Sequence, residues 1–94
     1  MITDFIPVGH DNAVSRQYLV SVTGMKDREI RDAIHDARRD TVIINIGNGY
    51  YRPDPSDEQD MHDLKAFEKQ ETHRLKSIGW ALKSARKMIR ESET

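Results

Sequence analysis

The sequence predicts a mainly α-helical protein with a small β-hairpin and one long C-terminal helix. Three observations carry that prediction. Two amphipathic stretches, Arg16 to Thr23 and Asp27 onward, are separated only by Gly24-Met25-Lys26. A β-branched run, Thr41 to Ile46, is followed by Gly47-Asn48-Gly49 and then Tyr50-Tyr51-Arg52. From Asp57 to about Arg90 the chain has no proline and consists mostly of good helix formers. Helix, tight turn, helix and hairpin, in that order, predict a winged helix-turn-helix over residues 1–53. Residues 54–94 then form a linker and the long helix.

Each element has its own justification. Ser15 is expected to cap the first helix, whose Leu19 and Val22 face inward. Gly24 suits the position after a helix because it tolerates the left-handed conformation, and Met25 is placed to plug the crossing that so short a turn forces. Asp27 is expected to cap the second helix. Residues 100° apart put Ile30, Ala33, Ile34 and Ala37 on one face, with Arg28, Arg31, Asp32, His35, Arg38 and Arg39 opposite. A solvated surface helix would share this pattern; the close neighbour helix favours a dry face for a core and an arginine-rich face for a partner.

In the hairpin, the glycine-rich turn permits positive φ and Pro53 ends the pairing. Val42 to Ile44, with Ile46 beyond, leave its inward face open, and Ala13-Val14 are candidates for a short third strand. Upstream, Ile2 to Ile6 is expected to form a short helix, with Phe5 and Ile6 sealing the core against Leu19 and Ile34. Pro7, Gly9 and His10-Asp11-Asn12 make a loop.

The stretch DREIRDAIHDARRDTVIINIGNGYYRP resembles the recognition helix and wing of the biotin-repressor type of winged helix-turn-helix, which similarly end the wing in a glycine-rich turn, Gly-Tyr and a proline. FIPVGHDNAVS, GYYRP and KSIGWALKSAR are similar to small winged-helix proteins of Firmicutes phages and prophages. The second resemblance covers nearly the whole chain and implies a phage origin and DNA binding. The first covers about half of it, and no ligase domain accompanies it.

Pro53-Asp54-Pro55 marks the boundary, and Ser56 with Gln59 has capping-box spacing. In the long helix Leu75, Ile78, Leu82, Ala85 and Ile89 step by three and four, like a and d positions of a heptad. Met61 and Leu64 continue the register upstream, interrupted by Glu68 and Glu71. The expectation is a helix pairing that makes a homodimer; packing on the chain's own winged unit is the alternative. Trp80 lies off this seam near His73, Lys76, Lys83 and Lys87, and is expected to pack on the winged unit rather than touch a partner. Gly79 signals a kink or a close helix contact. Asp54 to Glu71 holds seven acids and two lysines, whereas Arg74 to Arg90 holds six bases and no acid. That division complements the helix dipole, and it also permits a basic arm on phosphate or antiparallel pairing of unlike halves.

Composition limits the functional classes. With 94 residues the chain holds one domain and an accessory element. Without cysteine it has neither disulfides nor a zinc–cysteine site. It has no apolar run of the ~20 residues a membrane span needs, and its start lacks the pattern of a secretory signal, so the expected location is the cytoplasm, with no membrane partner. There is no P-loop, GxSxG, HExxH or dinucleotide fingerprint. His62 between Asp60 and Asp63 could hold a metal weakly, but reads as a solvated turn. No catalytic residue, metal or cofactor is expected, and the chain is not read as an enzyme.

The functional expectation is sequence-specific binding of double-stranded DNA, in transcription control. Arg28, Arg31 and His35 are candidates for base edges; Ser15, Arg16, Gln17, Lys26 and Arg39 for phosphate; Asn48 and Tyr50 for wing contacts. The net charge of −1 predicts modest non-specific affinity. The alternatives are an accessory factor in excision or replication initiation, or an adaptor or inhibitor that binds a host protein.

Overall fold

Each short helix is defined by side chains that satisfy its ends. A computed structural model describes residues 1–47 and 49–93 of the chain. Helix α1 (Arg16–Thr23) starts where Ser15 Oγ accepts the Tyr18 N–H at 3.0 Å. It stops at Gly24, whose φ of +73° is the left-handed conformation a side chain would resist, and whose N–H reaches the Val20 carbonyl at 3.0 Å. Thr23 ties the turn by donating to Leu19 O at 2.6 Å and accepting the Met25 N–H at 3.1 Å. Helix α2 (Asp27–Ala37) begins one residue earlier than expected. Lys26 is its flanking residue, and the Glu29 carboxylate accepts the Lys26 N–H at 3.2 Å. Asp27 is therefore inside the helix rather than its cap, and its carboxylate is spent elsewhere.

Three short strands form one antiparallel sheet in the order β1 (Val14–Ser15), β3 (Gly49–Tyr51), β2 (Ile44–Ile46). Val14 pairs with Tyr50 and Ser15 with Gly49; on the other side Ile44, Asn45 and Ile46 pair with Tyr51, Tyr50 and Gly49. The third strand is thus real, but it comprises Val14 and Ser15, with Ala13 just outside it. Position 49 must be glycine because a Cβ there would lie 2.8 Å from Ala13 Cβ. Alternation along β3 sends Tyr50 to one face and Tyr51 to the other.

The core gathers Ile2, Ile6, Leu19, Ile30, Ile34, Ile43 and Tyr50, with Val14, Val20, Met25, Ala33 and Ala37 packed against it. Ile30, Ala33, Ile34 and Ala37 of α2 face inward as their spacing predicts. Two assignments change. Ile2–Phe5 is a 3-10 helix and Ile6 follows it in extended backbone; Ile2 and Ile6 are buried and Phe5 is exposed. In α1 the core lies on the Val20 side of Leu19, and Val22 is exposed. The open question in the hairpin resolves to Ile43 and Ile44 buried, with Val42 and Ile46 exposed.

Helix α3 spans Glu58–Ser92. Its N-terminal cap is Asp57, whose Oδ1 accepts the Gln59 N–H at 3.3 Å. Ser56 instead donates its N–H and hydroxyl to Asp54 Oδ1 at 2.9 and 2.7 Å, so the expected Ser56 box is not formed. The chain divides into two units, Met1–Leu64 and Lys65–Thr94. In the second unit Leu75, Ile78, Leu82, Ala85 and Ile89 are all exposed, Leu75 at 70% and Leu82 at 47%. Trp80 is 69% exposed rather than packed, and a Cβ at Gly79 would meet nothing within 4 Å, so no close helix contact explains that glycine. No helix among the described residues is long and apolar enough to cross a membrane.

Candidate nucleic-acid interface

The exposed face of α2 is set by its buried one. With Ile30 and Ile34 fixed in the core, Arg28, Arg31, Asp32 and His35 project outward. Arg38 leaves this group. The helix ends at Ala37, and Arg38 Nε donates back to the Ile43 carbonyl at 3.1 Å, joining the end of α2 to the approach to β2. Arg39 is exposed in the turn that follows.

Beside the start of α2 lies a cleft of about 440 Å³, lined by Ser15, Arg16 and Gln17 from the start of α1, Asp27 from α2, and Asn45, Gly47 and Tyr50 from the hairpin. Three of the expected phosphate ligands, Ser15, Arg16 and Gln17, therefore converge on one concavity. Lys26 is exposed but is not part of the cleft lining. Asn45 and Gly47 were not legible as lining residues, since only the sheet register brings them opposite α1. The expected contact Asn48 lies outside the described residues.

Arg16 is the most constrained cation of the cleft. Its Nε donates to Asp27 Oδ1 at 2.6 Å; the nearby Tyr50 hydroxyl and the Asp27 carboxylate push its pKa further above the ordinary arginine value. Asp27 Oδ2 also stands 4.0 Å from Arg31 Nη1 one turn along. One carboxylate thus faces two of the candidate arginines. Tyr50 departs from its expected role: it is 7% exposed and belongs to the core instead of reaching outward from a wing. Ser15 keeps a capacity to donate, because its oxygen accepts the helix-capping bond while the hydroxyl proton is separate.

A second polar cluster sits at the start of α3. Asp60 is fully buried, and its Oδ1 accepts the His10 N–H at 3.1 Å and meets His10 Nδ1 at 2.5 Å. Its Oδ2 accepts the Asp54 N–H at 2.8 Å. Asp57 lies 3.0 Å from His10 Nδ1 and Asp11 3.1 Å from Nε2. The hydrogen bond to Asp60 raises the His10 pKa against the opposing effect of burial, and the charges of Asp11, Asp60 and Asp57 add to it. Burial pushes Asp60 upward, yet the Asp54 amide and the His10 ring and amide together leave its pKa lowered. Asp60 and Asp63 therefore do not gather around His62. Asp60 turns to His10, and Asp63 accepts the Tyr51 hydroxyl at 2.8 Å while His62 is exposed.

His10, Asp57 and Asp60 have ligand atoms within 4.8 Å of one another, a spacing compatible with a metal. Both Asp60 oxygens already accept hydrogen bonds, however, and a protonated imidazole satisfies the pair. The cluster acts as a clasp. With Gly9 N–H on Arg52 O at 2.8 Å and Arg52 N–H on Pro7 O at 2.8 Å, it sews the N-terminal loop to the end of β3 and the start of α3. The 50-residue separation of His10 and Asp60 left no local signal of this pairing.

No protein-family model, curated protein or solved structure matches this chain.

Proposed function

We propose that the chain is a winged helix-turn-helix protein that binds duplex DNA sequence-specifically and regulates transcription. One observation carries this reading. Helix α2 follows α1 after Gly24-Met25-Lys26 and holds Arg28, Arg31 and His35 exposed, opposite a buried Ile30–Ile34 face. In a helix-turn-helix such a face enters the major groove, where arginine bonds bidentately to guanine. The cleft formed by Ser15, Arg16 and Gln17 lies beside it and suits a phosphate, because it combines a fixed guanidinium with hydroxyl and amide donors.

The test is fluorescence anisotropy against a randomised duplex pool, with recovery and sequencing of the bound fraction. The wild-type chain enriches one site. Arg28→Ala with Arg31→Ala weakens binding to that site by ~1–3 kcal/mol per lost base contact. An unchanged site preference in the folded double variant excludes α2 as the reader.

The exposed Leu75, Ile78, Trp80, Leu82 and Ile89 favour a second reading, a module that binds a protein partner. A stoichiometric complex with another protein, together with no DNA affinity at any salt concentration, replaces the first reading with this one.

A further inference from the structure

The exposed apolar residues of α3 form a seam rather than a scatter. Leu75, Leu82 and Ile89 fall at the a positions of a heptad, and Ile78 and Ala85 at d. The bases avoid it. Lys76, Lys83 and Arg90 fall at b and Lys87 at f, so that only Arg74 and Arg86 flank the seam. A helix pressed against it meets aliphatic side chains without burying like charges. A second copy of the chain supplies the same aliphatic spacing.

Direction follows from the acids just upstream. Glu68 and Glu71 continue the register at a and d. In a parallel, in-register pair each would face its own counterpart within the seam, where like charges oppose association. In an antiparallel pair that sets Leu75 against Ala85 of the second copy and Ile78 against Leu82, Glu68 leaves the apolar layers, and Glu71 falls opposite Ile89 at the end of the seam instead of opposite its own counterpart. Glu71, which within its own chain reaches Arg74 at 3.1 Å, then lies within one turn of Arg86, which flanks the seam of the second copy. The symmetry repeats that contact on the other side.

We propose that a second copy of this chain covers the seam, with the two α3 helices antiparallel. The proposal is independent of the DNA-binding reading, since it rests on the second unit alone.

The chain contains no cysteine, so introduced thiols report the geometry cleanly. Leu75→Cys and Ala85→Cys are made as single variants of the full chain, then oxidised separately and as an equimolar mixture. The antiparallel pair yields the mixed 75–85 disulfide as the dominant product. Each variant alone cross-links poorly, because two copies of position 75 lie ~15 Å apart along the axis, beyond the reach of a disulfide. Homodisulfides of each variant as the dominant products overturn the antiparallel direction. Native mass measurement of the unmodified chain is expected to give twice 10.9 kDa, with Leu82→Asp returning the monomer while keeping its circular dichroism at low concentration. A wild-type monomer at every concentration, or a monomer that binds anionic vesicles through this face, overturns the second copy as the occupant.

Discussion

Helices α2 and α3 carry the same kind of apolar stripe and meet different fates. In α2, Ile30 and Ile34 are buried against Leu19, Ile43 and Tyr50. In the Lys65–Thr94 unit, Leu75, Ile78, Leu82 and Ile89 are exposed although their spacing is just as regular. Periodicity therefore specifies a face and says nothing of what covers it. The difference arises from chain connectivity. Helix α2 is delivered onto α1 by Gly24, Met25 and Lys26 and onto the sheet by Arg38 and Ile43, whereas the second unit consists of helix alone.

The largest expected effect sharpens this contrast in stability. Ile34→Ala leaves a hole in the core and lowers unfolding stability by ~2–5 kcal/mol, measured by urea denaturation. At a protein concentration low enough to keep the chain monomeric, Leu82→Ala shifts the same transition by less than ~0.5 kcal/mol, as an exposed substitution does. Equal losses from the two variants would mean that both stripes belong to one cooperative core.

A smaller effect is expected at Gly79, which has open space around its Cβ position. Gly79→Ala stabilises α3 by up to ~1 kcal/mol, seen as increased helical circular dichroism in mild denaturant. A loss of helicity instead would reveal a contact that needs the missing side chain.

The smallest effect is on pH dependence, because His10 is about a third exposed and solvent screens its ion pairs. Its pKa is raised on folding, so the clasp stabilises fully below the ordinary value of 6.5 and weakens as pH rises through the folded value above it. Asp60 runs the other way. Its pKa is lowered, so its contribution is present above 3.8 and fades as acid protonates it. Thermal melting of the wild-type chain should fall between pH 6 and 9 relative to that of His10→Gln. A constant difference between the two across that range would remove His10 from the pH response.

Much of the first unit was legible because its signals are local. The Ser15 cap, the Gly24 stop and the two faces of α2 each depend on residues within one or two turns. Local steric need likewise made the glycine-rich hairpin turn readable. Phe5 was misplaced because the helix ends at Phe5 and the chain leaves it in extended backbone at Ile6 (φ −104°, ψ 112°), which buries Ile6 and leaves Phe5 exposed. Val22 was misplaced because Leu19 alone does not say on which side the core lies. For the candidate site, the outward residues of α2 were readable, whereas the cleft was not. Its Asn45 and Gly47, and the inward position of Tyr50, follow from cross-strand register between segments some thirty residues apart. Asp60 resembled a solvated residue of an acidic first turn, and only its distant partner His10 explains its burial.

The position of Asp27 between Arg16 and Arg31 has a consequence for exchange kinetics. On the DNA-binding reading, a phosphate arriving at this corner does not meet two bare cations; it displaces an anion the protein already carries. Each contact is then a swap of one anion for another, which releases fewer mobile ions from the duplex than the number of arginines suggests. When the duplex departs, the guanidinium groups return to a waiting carboxylate instead of being left without an anion. Wrong sites are held briefly, because only a matching base edge draws Arg31 away from Asp27.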